Sequence, residues 1–230
     1  MDFLNATILL LNYIFVPALS YGSQLSIGAI FVTLIYGILR FANFSTGDMM
    51  SFGTMFVILF TWFFQSKGLT LGILPTALIA LPIGIIIMIF YMLLIDMFVF
   101  RYYRIKKSPP VVLAMVSIGV MFVTQAIVRI IIGPFDRRFF DGEKFILKAT
   151  EFKEITGLNE GLTIKSTQVL TLVVTIIVAI ILFWFLNRTK TGKSMKAYSD
   201  NEDLALLSGI DPKKVVLITW IIAGILATVG

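Results

Sequence analysis

The 230-residue chain contains no cysteine and no histidine. Their absence removes thiol nucleophiles, disulfides, zinc centres built from Cys and His, haem held by His, and triads that need an imidazole. Charge is scarce as well. Only 14% of residues are charged while 58% are hydrophobic, and a mean hydropathy of +0.97 lies far outside the balance of a water-soluble domain. This composition specifies an integral membrane protein. The net charge of +6 does not point to nucleic acid, because no stretch interleaves a basic face with stacking aromatics. The cations stand in loops beside apolar runs, where they orient spans and meet anionic lipid head groups. No Lys or Arg precedes Arg40, so the N-terminus lacks the basic start of a cleaved signal peptide and is expected to stay on the mature protein.

A membrane helix needs about 20 largely apolar residues. On that ruler 69–100, 111–132 and 168–186 are spans, and a last one begins near Val215. Pro75 and Pro82 mark where the long 69–100 run can kink. Residues 3–19, 25–39 and 49–64 are each short and form two or three crossings. The expected fold is an all-α polytopic transmembrane helix bundle of about six spans, one membrane domain over 1–230. Arg101, Arg104, Lys106 and Lys107 make the 101–107 loop basic with no acid, which places it in the cytoplasm. The loop at 133–165 is then extracytoplasmic, with alternating pieces at 144–150 and 161–164 that predict a small hairpin. The polar segment 187–214 returns to the cytoplasm. Aromatic clusters at 60–64 and 183–185 read as interfacial belts. In the last apolar run, Ala223 and Ala227, like Gly224 and Thr228, form small-xxx-small pairs that call for a neighbouring helix, from another subunit or from chain beyond residue 230.

Segment 187–214 predicts two short helices and a restart: 192–198 continues from the preceding span at the cytoplasmic surface, and a compact helix over 201–208 follows outside the bilayer. Ser199 or Asp200 is its expected cap, Glu202 and Asp203 favour its positive end, and Gly209 suits the left-handed stop. Asp211 and Pro212 start the next helix as N-cap and first residue. By physics alone such a helix is either a docking element or an interfacial helix lying on lipid. The run Gly192-Lys193-Ser194 is no phosphate loop, because Arg188 stands where the upstream glycine would be and no strand precedes it.

A second polar interruption, at 36–53, contains Arg40, Asn43, Ser45, Thr46, Gly47 and Asp48. A charge within membrane depth costs about 2.5–3.5 kcal/mol on insertion scales and faces protein or water. The stretch is therefore either a cytoplasmic turn, with 43–48 capping the following helix, or a discontinuous helix whose amides face a path.

Both segments resemble ABC importer permeases of the branched-chain amino-acid type, the LivH family. The carrying residues are Tyr36, Gly37, Ile38, Asn43, Phe44, Gly47, Asp48, Met50 and Gly53 in one. In the other they are Gly192, Ala197, Asp203, Ala205, Leu207, Gly209 and Ile210. Gly22 and Ser23 fit the pair that precedes the family's first long helix. Ser45 and Thr46 replace a common Ala-His, and Asp48 a commoner Glu. The resemblance covers about 22–230, and by comparison the chain is incomplete at its C-terminus, lacking roughly the family's last quarter. It implies a short cytoplasmic coupling helix at Asp200, Glu202, Asp203, Ala205, Leu207, Gly209 and Ile210 that docks into an ATPase subunit. The break implies a substrate pathway at Asn43, Phe44, Ser45, Thr46, Gly47 and Asp48.

The implied partners are ABC ATPase subunits, a second permease subunit, an extracytoplasmic solute-binding protein and membrane lipid, with no nucleic acid. No cofactor, metal or catalytic residue is expected, since ATP hydrolysis would sit on the partner. The implied location is the bacterial or archaeal plasma (inner) membrane, and the implied solutes are branched-chain or other amino acids and similar small polar molecules. Two alternatives stand beside this reading. An ion-coupled secondary transporter or channel would need several intramembrane acids, and only Asp48 and Asp96 qualify, the latter positioned to pair with a loop cation. A non-transporting membrane scaffold is the other.

Overall fold

A computed structural model describes residues 2–69, 74–133, 145–157 and 160–230. The order is α1 (Asp2–Leu10), a π-helical turn (Leu11–Phe15), α2 (Val16–Leu39), α3 (Thr46–Ser66), α4 (Ala77–Ile95), a second π turn (Asp96–Phe100) and α5 (Arg101–Ile105). Then come α6 (Pro110–Ile132), β1 (Phe145–Leu147), α7 (Ala149–Thr156), β2 (Ile164–Lys165), α8 (Ser166–Arg188), α9 (Lys190–Asp200), α10 (Glu202–Leu207) and α11 (Pro212–Val229). Among the described residues six helices are long and apolar enough to cross a membrane: Asn5–Leu39, Thr46–Ser66, Ala77–Ile105, Pro110–Ile132, Ser166–Arg188 and Pro212–Val229. The protein is an all-α, multi-pass helix bundle.

Two crossings, not three, precede α4, because the runs at 3–19 and 25–39 join into one helix. Nor do Gly22 and Ser23 precede the first long helix; they lie within it. The hydroxyls of Ser23 and Ser26 donate back to the carbonyls of Leu19 and Gly22 at 2.6 and 2.7 Å, which absorbs their polarity inside α2. The π turn falls just before Pro17, which has no N–H to donate into the preceding turn. A 35-residue span measures about 50 Å, more than the roughly 30 Å hydrocarbon core. Its N-terminal part reaches the β-paired loop, where the Asn12 amide accepts from the Thr163 N–H at 3.3 Å.

In α4, Pro75 lies before the helix and Pro82 inside it, while the irregular turn is at Asp96–Phe100. That turn brings Asp96 to Arg104, with an ion pair at 2.6 Å and a second contact at 2.9 Å, so the loop cation that neutralises Asp96 is Arg104. The 69–100 run crosses residues 70–73, which lie outside the described set. The hairpin is present as antiparallel β1 and β2, with the unforeseen α7 between them; positions 134–144 and 158–159 of that loop lie outside the described residues. Of the aromatic clusters at 60–64 and 183–185, Phe63, Phe183 and Trp184 point outward at 54–73% exposure, while Phe60, Trp62, Phe64 and Phe185 are half-buried and Phe185 packs against the core.

The core centres on α11, which packs on α2, α3 and α4. Trp220, Ala223 and Ala227 are fully buried. A Cβ at Gly224 would stand 2.9 Å from Ile89 Cγ1 and 3.0 Å from its Cα, so only glycine lets α11 and α4 approach this closely. The small-residue face of the last helix therefore packs closely against α4 within this chain. By contrast α8 lies at the periphery against α2, with Ile176, Ile177, Ile180 and Ile181 exposed, as a lipid-facing helix requires.

Candidate functional site

The break after α2 and the α9–α10 segment, separated by about 160 residues, meet at one end of the bundle. Helix α2 stops at Arg40, which adopts the left-handed conformation (φ 60°). That conformation costs a non-glycine residue about 1–2 kcal/mol. Arg40 is held there by its own N–H on the Tyr36 carbonyl and by its guanidinium on the Asp200 carbonyl at 3.2 Å. One turn earlier the Ser199 hydroxyl donates to the Gly37 carbonyl at 2.5 Å. These two bonds tie α9 to the last turn of α2.

Residues 40–45 are a non-helical link between α2 and α3. Asn43 Oδ1 accepts from the Ser45 N–H at 3.1 Å and the Ser45 hydroxyl at 2.7 Å, an Asx turn that sets the chain for α3. Both residues are buried. The Phe44 N–H donates to Ser117 Oγ at 3.0 Å, fastening the link to α6. The six expected pathway residues thus divide: Asn43 and Ser45 face inward and brace the turn, Phe44 and Gly47 are exposed, and Thr46 and Asp48 are half-buried. Farther along α3, Ser51 and Thr54 are exposed and continue the polar stripe from Gly47 at helical spacing, each hydroxyl bonded to the carbonyl four residues back. Beneath the break, Phe41, Phe100 and Trp220 stack in series at 5.1 and 5.5 Å, joining the link, the π turn and α11.

Helix α9 does not continue α8. Thr189 is extended and accepts from the Gly192 N–H at 2.9 Å, so it is the N-cap of a separate helix. The Gly-Lys-Ser run is explained here, because a Cβ on Gly192 would collide with the Phe185 carbonyl and stand 2.6 Å from Leu186 Cα. Nor does Ser199 or Asp200 cap α10. Both belong to α9, and Asn201 caps, its Oδ1 accepting from the Leu204 N–H at 3.0 Å. Ser199 is committed to Gly37 and the Asp200 carbonyl to Arg40, which leaves the extended Asn201 in the cap position. Its neighbours Glu202 and Asp203 stand in the first turn.

At the other end of α10, Gly209 is left-handed (φ 80°) and the Ile210 N–H reaches back to the Ala205 carbonyl at 3.0 Å, a Schellman stop. Asp211 then caps α11 through the Lys213 N–H, with Pro212 first in the helix. Tyr198, buried, donates to Glu202 Oε1 at 2.8 Å. Burial, then the bond to and the charge of Glu202, push its hydroxyl above the usual tyrosine value, so it stays a neutral donor.

Of the expected coupling residues, Ala205 is buried and Ile210 half-buried, turned toward the bundle. Asp200, Glu202, Asp203, Leu207 and Gly209 face outward, and Leu207 is 85% exposed, with Leu204 and Leu206 exposed beside it. Sequence reasoning placed Arg40 only as a charge facing protein or water and took Ser199 for a cap, and it overlooked the roles of Tyr198 and of the cap Asn201; only the last carried a local signal, a strong N-capping residue ahead of two acids.

Comparison with curated proteins and with solved structures returns no match. The family model described as branched-chain amino acid transport system / permease component matches residues 14–230, nearly the whole chain and both halves of the site. The chain belongs to that permease family.

Proposed function

We propose that this permease subunit works in an ABC importer, taking amino acids or similar small polar solutes inward by ATP-driven alternating access in a plasma membrane. The observation that carries the reading is α10. It is a two-turn helix braced at both ends, with three exposed leucines and two first-turn acids at the basic end of the bundle. Such a helix transmits force because its caps prevent it from unwinding. An ATPase groove that seats Leu204 and Leu207 would move α10. The Ser199–Gly37 and Arg40–Asp200 bonds would pass that motion to the end of α2 and to the break. In this reading Gly47, Asp48, Ser51 and Thr54 offer the solute a polar path along α3, and Asn43 and Ser45 hold the turn from which it starts. A second permease subunit would close that path, a solute-binding protein would deliver to the β-capped end, and hydrolysis would belong to the ATPase chains.

The test is co-expression with candidate ATPase subunits followed by co-purification. Reversing both charges, Glu202→Lys with Asp203→Lys, is expected to weaken association several-fold, each charge contributing about 1 kcal/mol or less at an exposed site. Unchanged assembly and uptake in the double variant would remove the coupling assignment.

The path is checked separately by single cysteines at Asn43, Thr46 and Asp48, which label cleanly in a chain without native cysteine. Thr46→Cys and Asp48→Cys are expected to react and to be protected by solute, and Asn43→Cys to stay unreactive. Labelling of position 48 only from the basic end, indifferent to solute, would make 43–48 a plain turn.

A further inference from the structure

We propose that the cleft between α2, α8 and α9 is a binding site for an anionic phospholipid of the leaflet that faces the basic loops. The cleft is open and encloses about 220 Å³. Leu34 and Ile38 of α2, Leu182 and Leu186 of α8 and Met195 of α9 form its apolar wall, while Thr33, Lys196 and Ser199 form a polar rim. Its lining runs along α2 from Ile30 to Ile38, about 12 Å at helical rise. The chemistry changes in one direction over that length. The end toward the bundle centre is largely hydrocarbon, since the Thr33 hydroxyl there is bonded to the Ala29 and Ile30 carbonyls, and the end at α9 carries an ammonium group, the order in which a phospholipid presents its acyl chain and phosphate.

Charge complementarity selects an anionic lipid. Lys196 Nζ donates to the neutral Asn187 Oδ1 at 2.5 Å, a partner that holds the ammonium group in place without contributing an opposing charge. Arg40 stands on the flank, one turn beyond Gly37, with its guanidinium on the Asp200 main chain. Arg188, Lys190 and Lys193 add positive potential at the same end of the bundle, against the exposed Asp200 carboxylate next to Ser199. Basic pockets between membrane helices at this level hold lipid head groups through such charges. Gly37 lines the cleft, and a Cβ there would project into open space with no heavy atom within 4 Å, so a larger side chain at this position can occupy the cleft without a backbone clash.

The experiment uses the full chain in phosphatidylcholine vesicles that contain a trace of phosphatidylglycerol with a photoreactive acyl chain, or phosphatidylcholine labelled in the same way. Phosphatidylglycerol adducts are expected on peptides covering 30–38 and 182–196. Lys196→Gln should reduce them about fivefold, corresponding to about 1 kcal/mol for one basic residue near an anionic surface. Lys196→Arg should retain them. Gly37→Leu fills the cleft and should reduce adducts from both lipids at these peptides, with an unchanged melting curve showing that the variant is folded. Equal labelling by the two lipids, insensitive to Lys196→Gln, would overturn the site and leave ordinary boundary lipid. So would a crosslink from a photoreactive residue at position 37 to a second protein chain. No ATPase enters the assay, so its outcome is independent of the transport reading.

Discussion

Gly192→Val is expected to destabilise the folded protein by about 2–4 kcal/mol, lowering its melting temperature and its yield. The turn from α8 to α9 brings the two helices so close that even one added carbon would meet the Phe185 carbonyl oxygen and Leu186 Cα. Both are main-chain atoms, so no rotamer change relieves the clash and the helices must separate. Separation breaks the cap in which Thr189 accepts from the Gly192 N–H and donates to the Phe185 carbonyl. It also displaces Met195 and Tyr198 from the core. Overpacking a tight site costs about 1–3 kcal/mol, a lost cap about 1 kcal/mol, and a typical domain has only about 5–15 kcal/mol in reserve. The measurement is the yield of monodisperse protein in detergent together with its melting temperature. Gly119→Ala is the control. It lies within α6 with no heavy atom within 4 Å of a new Cβ, and it should match or slightly exceed the wild type, since alanine favours a helix interior over glycine by roughly 0.5–1 kcal/mol.

The spans were legible because the bilayer imposes one requirement, length of apolar sequence, that a chain states openly. That the 101–107 and 187–214 segments share one end of the bundle was legible from their lysines and arginines, and the structure brings Arg104 within electrostatic reach of Tyr198. Short-range chemistry was legible as well. Gly209, Asp211 and Pro212 occupy the stop, cap and first helical position that their own conformational preferences specify. The joining of 3–19 with 25–39 was hidden because a serine in a membrane helix satisfies itself on the preceding turn and leaves no break, although its hydropathy suggests one.

What the sequence could not display is the meeting of distant residues. Arg40 read as a charge to be placed somewhere wet, and its role depends on a carbonyl at Asp200. Ser199 read as a cap and instead spends its hydroxyl on Gly37. Asn43 and Ser45 read as polar groups available to a solute, yet they bond to each other under cover of the bundle. Burial sorted that stretch, and burial depends on which helices pack around it. The same holds for α11, whose small face seemed to await a partner until Ile89 of α4 was found against it.

Under the coupling role proposed for α10, Leu207→Asp is expected to separate the permease from an ATPase subunit while leaving the permease itself intact. Leu207 is 85% exposed, so its side chain supports almost nothing within the chain, and a surface change of this kind alters stability by about 0.5 kcal/mol or less. Ala205, the residue of α10 that packs inward at 3% exposure, is untouched. Burying a leucine in a partner's groove is worth about 1.5–3 kcal/mol. An aspartate there forfeits that gain and adds the cost of desolvating a charge, so a central contact of at least about 2 kcal/mol is at stake. Association should fall by about thirtyfold or more, well beyond the effect of reversing Glu202 and Asp203, which stand in the first turn of α10. ATP-driven uptake should be lost with it. Titration of the ATPase onto the purified permease measures the first effect, and the melting temperature establishes that the fold has survived. Leu207→Met, which conserves volume and apolarity, should keep association near that of the wild type. If Leu207→Asp binds the ATPase unchanged but loses affinity for lipid vesicles, the three leucines rest on the membrane surface, and α10 is an interfacial helix rather than a coupling element.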